Sequence, residues 1–143
     1  IVFAPSSSLS DTIESGVGLD ASIKSELLIS IFKKETPLHD GAVIIRNNRI
    51  AAASCLLPMA QNPNLSNALG TRHRAAIGVS ETNNVFVIVI SEETGRISVA
   101  QNGNLTSGLT TQRLRKVMIE SFSLTKFQDD VAFSGAQTEM NLK

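Results

Sequence analysis

Tryptophan and tyrosine are absent from this 143-residue chain, and its aromatic content is six phenylalanines. Proteins that hold single strands of nucleic acid stack successive bases on such rings, so a stacking platform is not expected. Excess charge of one sign is missing too. Lys and Arg number 13, Asp and Glu number 13, and the formal net charge is +0. A general nucleic-acid coat, with its surplus of Lys and Arg on one face, is thereby excluded. So is an acidic disordered chain. The single cysteine, Cys55, allows no internal disulfide and no zinc site built from several cysteines. It lies in the apolar run Ile50 to Leu57 and reads as a small buried hydrophobe. The apolar stretch Val85 to Ile90 falls far short of the roughly 20 residues that cross a bilayer. GxxxxGK[ST], GxGxxG and GxSxG are all absent, which removes the P-loop, dinucleotide and hydrolase-elbow readings.

What is present is an aliphatic core. Hydrophobic residues make up 42% of the chain, mostly Ile, Leu, Val and Ala, and the length suits one domain. The chain opens on Ile1 rather than Met, and a piece of a longer protein is expected. Ile1-Val2-Phe3 reads as a strand. Ser10 to Ser15 suits a short helical turn, broken by Gly16 and Gly18. Asp20 is a good N-cap, and Ile23, Leu27, Leu28 and Ile31 recur at helical spacing, predicting a helix over Ala21 to Lys33. Ala42 to Ile45 and Ile50 to Leu57 flank Asn47-Asn48 and predict a hairpin. Neither run alternates cleanly, so both strands should be buried on both faces. Met59 to Leu69 reads as a surface loop, and Thr71 as the cap of a helix from Arg72 to about Glu81. Val85 to Ile90 is a strand that Glu92 to Gly95 turns back into Arg96 to Gln101, with another turn at Asn102-Gly103. Thr110 or Thr111 opens a last helix, and the pattern fades into a polar tail from Thr125.

Three polar islands stand at strand ends. His39-Asp40-Gly41 precedes a buried strand. His and Asp are metal-capable side chains, and Gly permits close backbone approach, although Asp and Gly also suit an ordinary turn. Thr71-Arg72-His73-Arg74 lies at a helix start, where N–H groups and guanidinium forks suit phosphate. The alternative is a solvated basic turn. Residues two apart on a helix point about 200° apart, so Arg72 and Arg74 cannot easily face one ligand; one of them is structural or the segment is not helical. Ser91-Glu92-Glu93 offers a phosphate-bonding hydroxyl and cation-binding carboxylates, or simply a solvated turn. Together these are the parts of metal-assisted phosphoryl or nucleotidyl transfer.

Thr36 to Ile45, containing Asp40-Gly41-Ala42, resembles the DGA motif of the diadenylate cyclase (DAC) domain. Gly70 to Ala76, containing Arg72-His73-Arg74, resembles its RHR motif. Val89 to Gly95 and Ser98 to Gly103 resemble the same family in the same order, so the likeness runs from about Gly16 to Leu105. It is similar in particular to the membrane-anchored bacterial type. The resemblance implies an α/β fold, a central mixed β-sheet flanked by α-helices. It implies condensation of two ATP molecules into cyclic di-AMP with release of two pyrophosphates, using Mg²⁺ or Mn²⁺. By matching motif, Asp40 would activate the ribose 3′-hydroxyl, and His39 and Glu93 would hold the metal. Gly41, Ala42, Thr71, Arg72, His73, Arg74, Ser91 and Glu92 would line ribose and triphosphate, and Leu57 would meet adenine through its backbone. Leu56 sits where relatives often carry an aromatic residue. The catalytic domain would span residues 1–124, with 125–143 as a C-terminal tail.

Each hydroxyl must attack in line on the other nucleotide, so two ATP sites must face each other. One set of islands supplies one site, and a homodimer is expected. A carboxylate is a weak base for a sugar hydroxyl, so metal and arginine must carry much of the barrier reduction. No nucleic-acid partner is expected. The resemblance places the parent protein at the cytoplasmic face of the bacterial membrane, through segments outside this chain. Two other readings stand beside this one: a non-catalytic sensor that binds ATP or a cyclic dinucleotide, and a structural interaction domain.

Overall fold

The computed structural model describes residues 1–60 and 64–130, with side chains described as far as residue 123. The polar tail expected beyond residue 130 lies outside the described residues. The chain divides into two compact units, Ile1–Gly108 and Leu109–Lys143.

The first unit is a mixed β-sheet with helices on both faces, as the resemblance implies. Its strands are β1 (Val2–Ala4), β2 (Val17–Ser22), β3 (Ala42–Arg46), β4 (Arg49–Cys55), β5 (Phe86–Ile90), β6 (Ile97–Gln101) and β7 (Asn104–Leu109). Its helices are α1 (Ser10–Glu14), α2 (Ser25–Phe32) and α3 (Thr71–Thr82). The sheet order is β2-β4-β3-β1-β5-β6-β7. β1 is the pivot: it runs parallel to β3 and antiparallel to β5.

The β3–β4 hairpin forms as its sequence predicts. Asn47 and Asn48 take φ of 55° and 57°, the left-handed pair of a tight I′ turn that Asn tolerates. The lack of alternation in β3 also has its physical reason. Ala42 and Ile44 enter one core with Ala76 and Val79 of α3. Val43 and Ile45 enter a second core, on the opposite face, with Leu27, Leu28 and Ile31 of α2. Residues alternate across a strand, and here both faces are covered. The Asn102-Gly103 turn forms similarly, with φ of 52° and 78°, and leads into β7, a strand that its polar sequence does not announce.

Two local expectations need correction. The helix predicted over Ala21 to Lys33 begins only at Ser25, after Lys24 as N-cap. Val17 to Ser22 is instead the edge strand β2, paired with β4. Leu19 and Ala21 pack against the α2-side core at strand spacing. Asp20 is no cap: its backbone is left-handed at φ 47°, and its carboxylate accepts a hydrogen bond from Arg49 Nε at 2.6 Å. In α3 the N-cap is Gly70 without a side-chain cap bond, and Thr71 is the first helical residue.

The second unit contains α4 (Thr111–Asp130). Thr110 caps it, its Oγ1 accepting from the Arg113 N–H at 3.1 Å. The backbone stays helical through Asp130, beyond the point at Thr125 where the apolar pattern fades. No helix among the described residues is long and apolar enough to cross a membrane.

Candidate active site

The pairing directions decide where the three islands go. β3 starts, β1 starts and β5 ends on the same edge of the sheet, because β1 is parallel to β3 and antiparallel to β5. The end of β4 joins them, with Cys55 opposite Ala42. Asp40-Gly41, at the start of β3, and Ser91-Glu92-Glu93, after β5, therefore stand at one end with only β1 between them. Two strand spacings separate their strands by about 10 Å.

α3 brings the second island to the same place. Arg72, in its first turn, is ion-paired with Glu92. Arg74 faces elsewhere. Its Nη2 donates to the Ser66 carbonyl at 3.0 Å and its Nε to the Leu69 carbonyl at 3.4 Å. The helical spacing thus separates the two arginines. Arg72 stands at the sheet end, and Arg74 ties down the loop before the helix. His73 and Thr71 lie in the same first turn, His73 half-buried and Thr71 exposed.

The first island is held from below. His39 Nδ1 lies 2.7 Å from the Thr36 carbonyl. A carbonyl only accepts, so Nδ1 is the donor in this bond. The Thr36 hydroxyl in turn donates to Lys33 O at 2.8 Å. Asp40 and Gly41 are exposed, whereas Ala42 is buried. Gly41 has φ +98°, and a Cβ there would lie 2.8 Å from the Ser54 carbonyl carbon and 2.9 Å from the Cys55 oxygen. Only glycine lets the chain pass that close to β4 in that conformation.

The third island is a tight turn. Ser91 N–H donates to Arg96 O at 3.0 Å, Gly95 N–H to Ser91 O at 2.9 Å, and Thr94 N–H to Ser91 Oγ at 3.3 Å. Glu92 and Glu93 project from it exposed. Leu57 is half-buried against the α3-side core, just past the end of β4. Leu56 beside it is 73% exposed, a large apolar surface at the rim of the polar cluster.

Sequence reasoning does not single out Ser15 or Ser54, yet both brace this edge. Ser15 Oγ accepts from the Leu56 N–H at 3.0 Å. Ser54 Oγ donates to the Asp40 carbonyl at 2.8 Å. Both contacts span tens of residues or a strand irregularity, so no local pattern marks them.

Carboxylate oxygens at this edge are donors of the kind a hard divalent ion takes, whereas imidazole suits softer ions better. Among the described residues no three His, Cys, Asp or Glu side chains gather into a ready-made metal site. Mg²⁺-type ions are commonly held by one or two protein groups together with substrate phosphates and water. His39, its ring fixed by the Nδ1 bond, and the exposed Glu93 carboxylate are the metal-capable side chains that the motifs bring to this edge.

This edge has relatives. Residues 1–105 match the family described as DAC, the DisA bacterial checkpoint controller nucleotide-binding domain. The chain is 53% identical over 114 residues to cyclic di-AMP synthase CdaA of Bacillus subtilis, covering 80% of this chain and 42% of that protein. It is 48% identical over 120 residues to diadenylate cyclase of Listeria monocytogenes, covering 84% of this chain and 44% of that protein. The chain thus spans about two-fifths of the length of these relatives. Among solved structures, a double mutant of DacA from Staphylococcus aureus superposes with a TM-score of 0.80 at 44% identity, over 84% of this chain and 80% of that one. A hypothetical membrane spanning protein from Bacillus cereus gives 0.67 at 42% identity, over 76% and 54%. With the motif-bearing edge, the mixed sheet and these matches in agreement, the chain belongs to the diadenylate cyclase (DAC) family of nucleotide-binding domains.

Proposed function

We propose that this chain condenses two ATP molecules into cyclic di-AMP, releasing two pyrophosphates, as one half of a face-to-face homodimer. The observation that carries this reading is the meeting of Arg72 with Glu92 at the sheet end that also holds Asp40 and Gly41. It supports reading Arg72 as the phosphate-binding cation, Glu92 and Glu93 as the carboxylates and Asp40 as the base of one site. The names of the Bacillus subtilis and Listeria monocytogenes relatives support the same activity.

In this reading Asp40 accepts the proton of the ribose 3′-hydroxyl as that oxygen attacks the partner nucleotide's α-phosphorus. Arg72 binds triphosphate oxygens by charge-assisted hydrogen bonds. Thr71, His73, Ser91 and Glu92 line ribose and phosphates, and Gly41 and Ala42 allow close backbone approach. Arg74 contributes by holding the loop that leads into α3. The Leu57 backbone meets adenine. His39 and Glu93 hold a Mg²⁺ or Mn²⁺ ion, which when bound neutralises charge on the phosphates. Each site holds one nucleotide, so the in-line reaction needs a second copy opposite, and positioning supplies much of the rate. Residues 1–124 form the catalytic part, 125–143 are a tail, and the longer protein acts at the cytoplasmic face of the membrane. The membrane spanning description of the Bacillus cereus structure supports that last point.

Incubation with ATP and Mn²⁺, followed by mass spectrometry, tests the reading. Cyclic di-AMP is the expected product. ATP binding without product would favour a sensor domain instead.

A further inference from the structure

Ser54 occupies an unusual position for a strand residue. Between the paired positions Ile44↔Ala52 and Ala42↔Cys55, β3 contributes one residue, Val43, and β4 contributes two, Ala53 and Ser54. This is a β-bulge, and Ser54 within it is left-handed, at φ 56°. Serine has no backbone preference for that region; Gly and Asn tolerate it far better. A bulge re-aims a side chain out of the ladder. Here the re-aimed hydroxyl donates to the carbonyl of Asp40 at 2.8 Å. On the other side of the same peptide bond, Gly41 leaves no room for a Cβ against Ser54 and Cys55. The Asp40–Gly41 peptide is therefore gripped by a hydrogen bond at its oxygen and by packing at its Cα. Asp40 itself is exposed, so its backbone has no burial to fix it.

We infer that Ser54 is a positioning residue for Asp40: its hydroxyl fixes the Asp40–Gly41 peptide and so the point from which the Asp40 carboxylate works. The inference rests on the cyclase reading. Glycine would fit this backbone better but has no donor for the Asp40 carbonyl. Backbone strain of this kind clusters where a site must be held in one geometry.

Two variants separate this role from simple structural support. Ser54→Gly removes the hydroxyl and relieves the left-handed backbone. Ser54→Thr keeps the hydroxyl and worsens the backbone fit, since β-branched residues tolerate that region least. If residue 54 merely supports the fold, activity follows stability, and Gly is the better enzyme. If the hydroxyl positions Asp40, the two run in opposite directions. Steady-state cyclic di-AMP synthesis and thermal unfolding would be measured on the full chain. For Ser54→Gly we expect an unchanged or higher Tm, a KM for ATP close to the original, and kcat reduced roughly 10- to 100-fold, the usual cost of a misplaced catalytic group. For Ser54→Thr we expect a lower Tm with most of kcat retained. Ser54→Gly turning over like the unaltered chain overturns the inference, as does Ser54→Thr losing kcat as severely as Ser54→Gly. An unaltered chain that binds ATP yet makes no cyclic di-AMP overturns the cyclase reading itself, and the positioning role falls with it.

Discussion

Arg72 and Glu92 form an ion pair that ties the first turn of α3 to the turn after β5. Their side chains are 36% and 63% exposed, and exposed pairs of this kind contribute only about 0.2–1 kcal/mol to stability. Under the proposed function, a triphosphate offers more negative charge than one carboxylate and would draw Arg72 away from Glu92. Arg72→Ala should therefore leave thermal stability within about 1 kcal/mol of the original chain. ATP affinity should fall roughly 10- to 100-fold, the equivalent of a lost charge-assisted hydrogen bond set. Calorimetric titration with ATP beside a melting curve checks both halves. A large fall in Tm with affinity unchanged would make Arg72 a structural residue.

Asp40 and Gly41 are adjacent but should fail in different ways. Asp40 is exposed, and Asp40→Asn keeps its shape while removing the carboxylate proposed as the base. That variant should bind ATP and give no cyclic di-AMP; turnover at the original rate would refute the role given to Asp40. Gly41→Ala introduces a Cβ at φ +98° against Ser54 and Cys55. Backbone strain and collision should together cost about 2 kcal/mol or more, visible as a lower urea midpoint before any assay of activity.

The sequence announces elements whose information is local. Asn47-Asn48 between two apolar runs is enough for the β3–β4 hairpin, and Phe86–Ile90 is enough for β5. Elements defined by distant partners are hidden. Val17 to Ser22 carries Leu19 and Ala21 at strand spacing, yet Ile23, Leu27 and Ile31 at helical spacing begin directly after it. The helical pattern absorbs the strand when read alone. β7 is a polar edge strand, fixed by the Ser98–Ser107 hydroxyl bond at 3.2 Å and by Leu105 against the core. The site follows the same division. Its motifs lie in short segments, whereas their convergence depends on β1 sitting between β3 and β5 with mixed directions, which nothing within Val2–Ala4 records. The opposed directions of Arg72 and Arg74 are the exception, since helical geometry alone separates them.

Cys55 is 1% exposed, and burial pushes its thiol up from 9.0 to about 11. The folded state thus favours the neutral thiol. Because the folded value lies above the unfolded one, this contribution to stability is complete below the ordinary thiol value and is lost as pH rises towards about 11. Cys55→Ser titrates no thiol. Its unfolding free energy should therefore fall less steeply than that of the unaltered chain over the same alkaline interval. Alkylation at neutral pH should be slow in the folded chain and fast in urea. Rapid labelling of the folded chain would show that this strand end opens.

Gly78 sets two tendencies against each other. In a helix interior Ala normally outperforms Gly by about 1 kcal/mol, so Gly78→Ala in α3 should stabilise if the helix stood alone. It does not: a Cβ there would collide with Pro58 O and lie 2.7 Å from Ala60 N and Met59 C, all backbone atoms that cannot swing aside. The Ala60 N–H also donates to the Arg74 carbonyl at 3.0 Å, so the segment after β4 lies directly on the helix that carries Arg72. Overpacking against backbone costs about 1–3 kcal/mol, enough to cancel or reverse the gain in helix propensity. Gly78→Ala should therefore be destabilising despite the better helix former. Gly18→Ala, where a Cβ meets nothing within 4 Å, should be close to neutral. Chemical denaturation of the two variants side by side checks the contrast. A stabilised Gly78→Ala would mean that residues 58–60 do not rest on α3.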